Sequence, residues 1–249
     1  VGSNIEAKKI IYNDINFLVK DLIKSFNEID TYKYLLYLRK IAKKFGLSLE
    51  KSSNFYVARD FYNSKEIKER DPRMLFLLAM YGFRQQIRFN SNLDFNIPVG
   101  ERWFNERIFE RFISFSRMVR EKNIVYESKN FYELDQYIEE DAYFYFDPPY
   151  RLTTATYNDG KRGFLGWNEE YELNLFRYIS ELSKKNIKFM LSYISQSGGI
   201  KNNNFSNWTE SNNFNVLNLG KVKGRNREEL LVINYDAFGE SASKIYNKE

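Results

Sequence analysis

"DAYFYFDPPYRL" (Asp141–Leu152) brings together an aromatic run, an acid, two prolines and a phenol ring. Ala142–Phe146 reads as a hydrophobic strand that stops at Asp147. In an open α/β sheet, ligands sit beyond the carboxyl ends of the strands, so Asp147 is expected to face that crevice. Pro148 and Pro149 have fixed φ, and each pushes the residue before it out of the helical region. The turn is therefore stiff and extended. It has no N–H at either proline, but it offers carbonyls and a carboxylate beside the Tyr150 ring. Acceptors next to an aromatic face suit a planar group that bears an amine, and stacking of this kind contributes ~1–3 kcal/mol per base. An ordinary strand-ending turn can also use Pro-Pro; the position after a hydrophobic strand favours the amine grip.

Composition narrows the chemistry further. The 249 residues can bury one full core, or one core and a modest second lobe. With 43% hydrophobic and 29% charged residues the chain suits a soluble globular protein. It has no run of roughly eighteen apolar residues that could span a membrane, and no segment patterned as a signal peptide. Histidine and cysteine are both absent. That removes His-based triads, imidazole bases, His metal sites, thiolate nucleophiles and disulfides, and it makes an intracellular setting the default. The formal charge of +5 hints at a polyanionic partner. The 22 Phe and 19 Tyr are more than a catalytic site needs, so most must fill core while some could stack on bases.

Outward from the turn, the chain changes rhythm near Asn123. Before it, a short strand (Lys9–Asn13) ends in Asp14, and an amphipathic helix follows to about Ser25. "TYKYLLYLRKIAKKFG" predicts a helix that begins at a Thr cap and stops at Gly46. "DPRMLFLLAMYGFRQQIRF" predicts another with Pro72 in its first turn. Ile108, Phe112, Phe115 and Val119 recur at helical spacing in a third. "NSNLDFNIPVGERW" lies between the last two and reads as a loop or hairpin. After Asn123 come the strand-like runs "IVYES", "AYFYF", "IKFMLSYI", "FNVLNLG" and "ELLVINY", with a helix over Glu169–Lys184. Tyr171, Leu175, Ile179 and Leu182 mark that helix's apolar face. Such alternation implies an α/β fold with a parallel sheet. The last two strands, joined only by "KVKGRNRE", should pair antiparallel. "NNNFSNWTESNN" reads as a mobile surface loop. The expected division is a sheet domain from 1–22 and 123–249, split by a mostly helical insert over 23–122.

These segments resemble, in order, the Dam-like D12 class of adenine-N6 DNA methyltransferases. "VGSNIEAKKIIYNDIN" resembles the end of that class's first cofactor motif and its second; "IRFNSNLDFNIPVG", "DPPY" and "GRNREELLVINY" resemble three later ones. The resemblance implies a Rossmann-like S-adenosylmethionine-dependent methyltransferase sheet, its last strand antiparallel, with an inserted, mostly helical target-recognition lobe. It implies that Asp14 accepts from the ribose hydroxyls of S-adenosyl-L-methionine; a helix cap on "NDINFLV" is the competing role. Asn130 and Phe131 stand where the class has Asp-Phe beside the cofactor adenine, and Asn can still accept through its carbonyl oxygen. A surface Asn that starts a helix is the alternative. Asp147 also borders the cofactor; with the Pro148 carbonyl it would hold the target amine, in a turn stiffened by Pro149, while Tyr150 stacks on the flipped base.

For DNA contact the resemblance points to Arg84, Arg88, Asn90, Asn92, Pro98 and Arg102, with solvated surface charge as the competing role of each arginine. "KVKGRNR" is a second phosphate-contact candidate. Asn92-Leu93-Asp94 replaces the glycine turn of the class, so a GATC target does not carry over. The implied partner is duplex DNA, with a cognate restriction endonuclease, in the cytoplasm of a bacterial or phage-bearing cell; a monomer without metal is expected. Val1-Gly2-Ser3 resembles the tail of the glycine-rich cofactor loop, which predicts a chain cut short there, a gapped sheet and weak or absent methyl transfer. An N4-cytosine methyltransferase and a non-catalytic DNA-binding remnant stay open. A C5-cytosine enzyme is excluded, because it needs a Cys nucleophile. A carboxylate-metal nuclease lacks a persuasive Asp…Glu-x-Lys arrangement.

Overall fold

A computed structural model describes residues 4–48, 51–101, 105–154, 167–221 and 227–236. The described residues form two compact units, one up to Asn130 and one from Phe131 onward.

The first unit opens with strand β1 (Ile10–Asn13), which pairs in parallel with β2 (Ile124–Glu127), Ile10 opposite Ile124 and Asn13 opposite Glu127. Among the described residues five α-helices lie between them in sequence: α1 (Phe17–Glu28), α2 (Thr31–Phe45), α3 (Ser52–Asn63), α4 (Pro72–Tyr81) and α5 (Glu106–Arg120). Short polar residues set the starts of α1, α2, α4 and α5. Asn16, Asp30, Asp71 and Asn105 each accept from a backbone N–H of the first turn. The caps of α1 and α2 are thus Asn16 and Asp30, rather than Asp14 and Thr31. Gly46 stops α2 with φ 59°, a left-handed conformation that costs glycine little. Helix α4 ends at Tyr81 instead of running on toward Phe89, because the Phe83 N–H donates to the Pro98 carbonyl (2.8 Å) and Gly100 N–H to the Tyr81 carbonyl (2.8 Å). The core gathers around Phe26, whose ring meets Tyr34 at 5.2 Å, Phe76 at 5.2 Å and Phe112 at 5.4 Å. Such pairs contribute about 0.5–1.5 kcal/mol each beyond area burial. Ser25 pairs with the Tyr34 hydroxyl (3.1 Å), so the buried phenol keeps a partner.

The second unit holds β3 (Tyr143–Phe146), α6 (Arg151–Thr154), α7 (Glu169–Lys184), β4 (Lys188–Ser197), β5 (Ile200–Lys201), α8 (Asn203–Ser211), β6 (Asn215–Lys221) and β7 (Arg227–Ile233). Its sheet order is β3-β4-β7-β6, with β5 paired to β4. The β3–β4 pair is parallel; β7 runs antiparallel to both β4 and β6. The molecule is thus mixed α/β, with parallel pairing in each unit and antiparallel final strands. Leu175, Ile179 and Leu182 of α7 are buried against Phe189, Leu191 and Tyr193 of β4, while Tyr171 is only half-buried.

The reading of "NNNFSNWTESNN" as a mobile loop is overturned. Asn202 is buried and caps α8 through the Phe205 N–H (3.2 Å), Phe205 and Thr209 face the core, and Trp208 stacks on Phe176 at 4.4 Å. Polar composition masked three inward side chains at helical spacing.

Candidate active site

The turn after β3 emerges from two local rules. Strand alternation turns Phe144 and Phe146 toward the core and leaves Tyr143 and Tyr145 exposed. The ladder ends where Phe146 meets Leu191, since the prolines have no N–H to continue it. Asp147 is exposed just beyond, Pro148 half-buried, Pro149 exposed and Tyr150 half-buried. The Tyr150 hydroxyl lies 3.0 Å from Ser192 Oγ, and its ring stands edge-on to Tyr193 at 5.4 Å and 78°. Although solvent reaches Asp147, the surrounding protein displaces part of its hydration and raises its carboxyl above the ordinary value. The Glu229 charge raises it further, and a hydrogen bond from Tyr150 opposes both. The turn therefore presents an acceptor that is reachable yet poorly hydrated, beside an anchored ring.

In the first unit, Asp14 lies at the carboxyl end of β1, where its N–H continues the ladder to the Glu127 carbonyl (3.3 Å). Burial raises its carboxyl above the ordinary value, opposed by the Asn16 N–H, which donates to Oδ1 at 2.8 Å. Two neighbours were not legible in the sequence. Asn13 both donates to the Lys129 carbonyl (2.9 Å) and accepts its N–H (2.9 Å), and Ser128 Oγ donates to the Asp14 carbonyl (2.8 Å). This bracket brings Asn130 to the same end of the strand pair as Asp14. Phe131 begins a 3-10 turn (Phe131–Tyr137), its ring 5.5 Å from that of Tyr178.

The remaining candidates sit on and beside a small hairpin, closed by a bridge between Phe89 and Phe95. Asn90 Oδ1 accepts from the N–H groups of Asn92 and Asp94 (2.9 Å each), and Leu93 takes φ 61°. Arg88 donates through Nε to Asn96 Oδ1 at 2.9 Å. Asn92 and Pro98 are exposed, as is Arg84, which lies over the Phe83 ring. Below them Arg70 is buried, donating to the carbonyls of Asn63 (2.9 Å), Lys65 (3.3 Å) and Leu93, and to Asp94 Oδ1 (2.8 Å). Gly100 is required where it stands, because a Cβ there would come within 2.5 Å of the Gly82 carbonyl oxygen. Arg102 and residues 222–226 of the "KVKGRNRE" connection lie outside the described residues.

The family model for D12 class N6 adenine-specific DNA methyltransferases matches residues 1–224. The chain belongs to this class. Among curated relatives it is 35% identical over 240 residues to modification methylase LlaI of Lactococcus lactis subsp. lactis, covering 96% of this chain and 38% of that protein. It is 30% identical to modification methylase StsI of Streptococcus sanguinis, over 95% of this chain and 37% of that protein. It is also 30% identical to the type II methyltransferase M.FokI of Planomicrobium okeanokoites, over 94% of this chain and 37% of that protein. The chain thus spans less than two fifths of the length of these three proteins.

In this D12 chain the largest feature absent from the sequence reading adjoins the Asp-Pro-Pro-Tyr turn. Arg151 Nε donates to Glu172 Oε2 at 2.8 Å, and Arg151 Nη2 to Asn202 Oδ1 at 3.1 Å. Glu172 is fully buried on α7 and also accepts from Asn202 Nδ2 (2.7 Å) and the Tyr193 hydroxyl. The available signal was a charge in line with Leu175 and Ile179 on an otherwise apolar face. Among the described residues no cluster of three or more His, Cys, Asp or Glu side chains could hold a metal ion, and no helix is long and apolar enough to cross a membrane.

Proposed function

We propose that this chain methylates adenine N6 in duplex DNA, using S-adenosyl-L-methionine and a base rotated out of the helix. The observation that carries the reading is the family match over 1–224 together with an accessible Asp147 at the end of β3. In this reading 1–22 and 123–249 make up the methyltransferase domain, and 23–122 is an inserted target-recognition lobe; the parallel pairings β1–β2 and β3–β4 support the mixed α/β part of it. The donor set suits the cofactor: Asp14 Oδ1 is taken by Asn16, which leaves Oδ2 to accept from ribose hydroxyls, and Asn130 and Phe131 would border the adenine ring. When bound, the cofactor supplies an electrophilic methyl on sulfonium.

The residues of the turn do the rest. The N6 lone pair of adenine is spread into its ring, so the amine is a poor nucleophile. Asp147 and the Pro148 carbonyl accept its two N–H groups, draw the nitrogen toward tetrahedral geometry and stabilise the positive charge that develops there. Pro149 keeps the corner stiff, and Tyr150 stacks on the base to offset the few kcal/mol of unstacking. The nitrogen gains a methyl and releases one proton, so Asp147 need only accept hydrogen bonds and need not be a strong base. Arg84, Asn92, Pro98 and Arg102 would meet phosphate or base edges, while Arg88 and Asn90 shape the hairpin that carries them. The names of the relatives support a role as the modification half of a restriction system; a monomer, a cytoplasmic setting and a cognate endonuclease complete the proposal.

Incubation of the chain with unmethylated genomic DNA and isotopically labelled S-adenosyl-L-methionine, followed by nucleoside mass spectrometry, tests this. Labelled N6-methyldeoxyadenosine is expected. Label in N4-methyldeoxycytidine, or DNA retention without any label, overturns the reading in favour of a cytosine enzyme or a binding remnant.

A further inference from the structure

We propose that Arg151 and Glu172 are positioning residues, an ion pair between a half-buried arginine and a buried carboxylate that sets the angle of the Asp147–Tyr150 turn. Three elements converge on the residue that follows the turn: α7 brings Glu172, the start of α8 brings Asn202, and β4 brings Tyr193. The Arg151 guanidinium is held at two points, by Glu172 and by Asn202, and planar two-point contacts fix orientation as well as distance. The Arg151 backbone N–H also points to the Tyr193 hydroxyl at 3.5 Å, and the Tyr193 ring meets Tyr150 edge-on and stacks on Phe205 at 5.3 Å. Between Asp147 and Arg151 the two prolines leave few soft dihedrals. Fixing Arg151 therefore fixes the acceptors upstream.

Stability alone does not account for the network. Burying a carboxylate costs several kcal/mol of hydration, and well-packed apolar replacements of buried ion pairs are often neutral or stabilising. What an apolar replacement cannot supply is direction. Among the described residues Glu172 is the one buried carboxylate, and it lies beneath the turn.

The catalytic part of this inference rests on the methyltransferase reading, and the test separates the two. Glu172→Gln keeps Oε1 for Tyr193 and Asn202 but sets an amide donor against Arg151 Nε, so it breaks one of the two contacts that hold the guanidinium and leaves the one to Asn202. Arg151→Met/Glu172→Leu removes the pair and leaves no unpaired charge. In whichever of these remains folded by thermal unfolding, hydrogen exchange at the Tyr150, Arg151 and Leu152 amides is expected to accelerate at least about tenfold, with β4 and β7 core amides unchanged. For methyl transfer, kcat is expected to fall about a hundredfold, the scale of a 1 Å misplacement, while KM for DNA stays within about threefold. Folded variants whose turn amides exchange at the wild-type rate overturn the proposal. If the exchange responds but the wild-type chain transfers no methyl groups, the positioning role stands and the functional reading falls.

Discussion

Replacing Arg70 with Met should loosen the hairpin that carries Asn92, and the size of the effect follows from the contacts. The Arg70 side chain is 4% exposed and its guanidinium serves four acceptors: the carbonyls of Asn63, Lys65 and Leu93, and Asp94 Oδ1. Leaving one buried acceptor unpaired costs about 1–3 kcal/mol. The four do not add, because Asp94 is 28% exposed and Lys65 lies at the surface, so water replaces part of what is lost. The expected cost is therefore that of breaking one buried pair, about 3–5 kcal/mol. For a chain of this size that lowers Tm by about 6–20 °C. Calorimetric unfolding measures it, with hydrogen exchange across 90–96 reporting where the loss falls. Lys24→Met is the comparison: its pair with Glu28 is exposed, and deletion should cost no more than about 0.5 kcal/mol. If Arg70→Met costs no more than Lys24→Met, the clamp is not what holds the hairpin.

Other outcomes follow from the same contacts. Because lost hydration and the Glu229 charge hold the Asp147 carboxyl above its ordinary value, its ionised form is lost as pH falls through that raised value. The acid limb of the pH–rate profile should lie correspondingly high, and Glu229→Gln should move it to lower pH; an unmoved limb would rule out Asp147 as the titrating acceptor. In stability the sign reverses: a raised folded-state value contributes stability below the unfolded pKa and loses it as pH rises through the folded one. Tyr150→Phe keeps the ring and loses the hydroxyl's bonds to Ser192 and Asp147, a stability cost of about 1 kcal/mol each. Tyr150→Ala should further weaken DNA binding by ~1–3 kcal/mol through lost stacking, and equal binding by the two variants would exclude a stacking role. Trp208→Ala should destabilise the second unit by about 3 kcal/mol if α8 is docked through its stack on Phe176; urea denaturation would show it, and a change below about 0.5 kcal/mol would mean a dispensable surface segment.

Local chemistry decided what could be read without coordinates. The Asp147 corner was legible because prolines restrict their own and preceding residues whatever the surroundings. The end of α2 at Gly46 and the bounds of α7 followed from a left-handed stop and a steady apolar period. Caps were ambiguous where two short polar residues stood close together: Asp14 and Asn16 both suit the start of α1, and the structure gives the cap to Asn16. Helix α8 was lost because only Phe205, Thr209 and Trp208 turn inward among polar neighbours. The ties around the candidate site were out of reach for a different reason. Asn13 meets Lys129 across 116 positions and Arg151 meets Asn202 across 51, and no local pattern encodes such partners.

The role assigned to Asp147 is open to one direct measurement. Duplex pools of random sequence, made with adenine or with 2-aminopurine in its place, would be offered to the wild-type chain and to Asp147→Ala together with labelled S-adenosyl-L-methionine. The 6-amino group is then the only acceptor removed. Label is predicted in the adenine pool alone, and none from an Asp147→Ala protein that keeps its wild-type Tm. Label in the 2-aminopurine pool, or undiminished transfer by Asp147→Ala, would contradict a turn that acts by gripping the adenine amine.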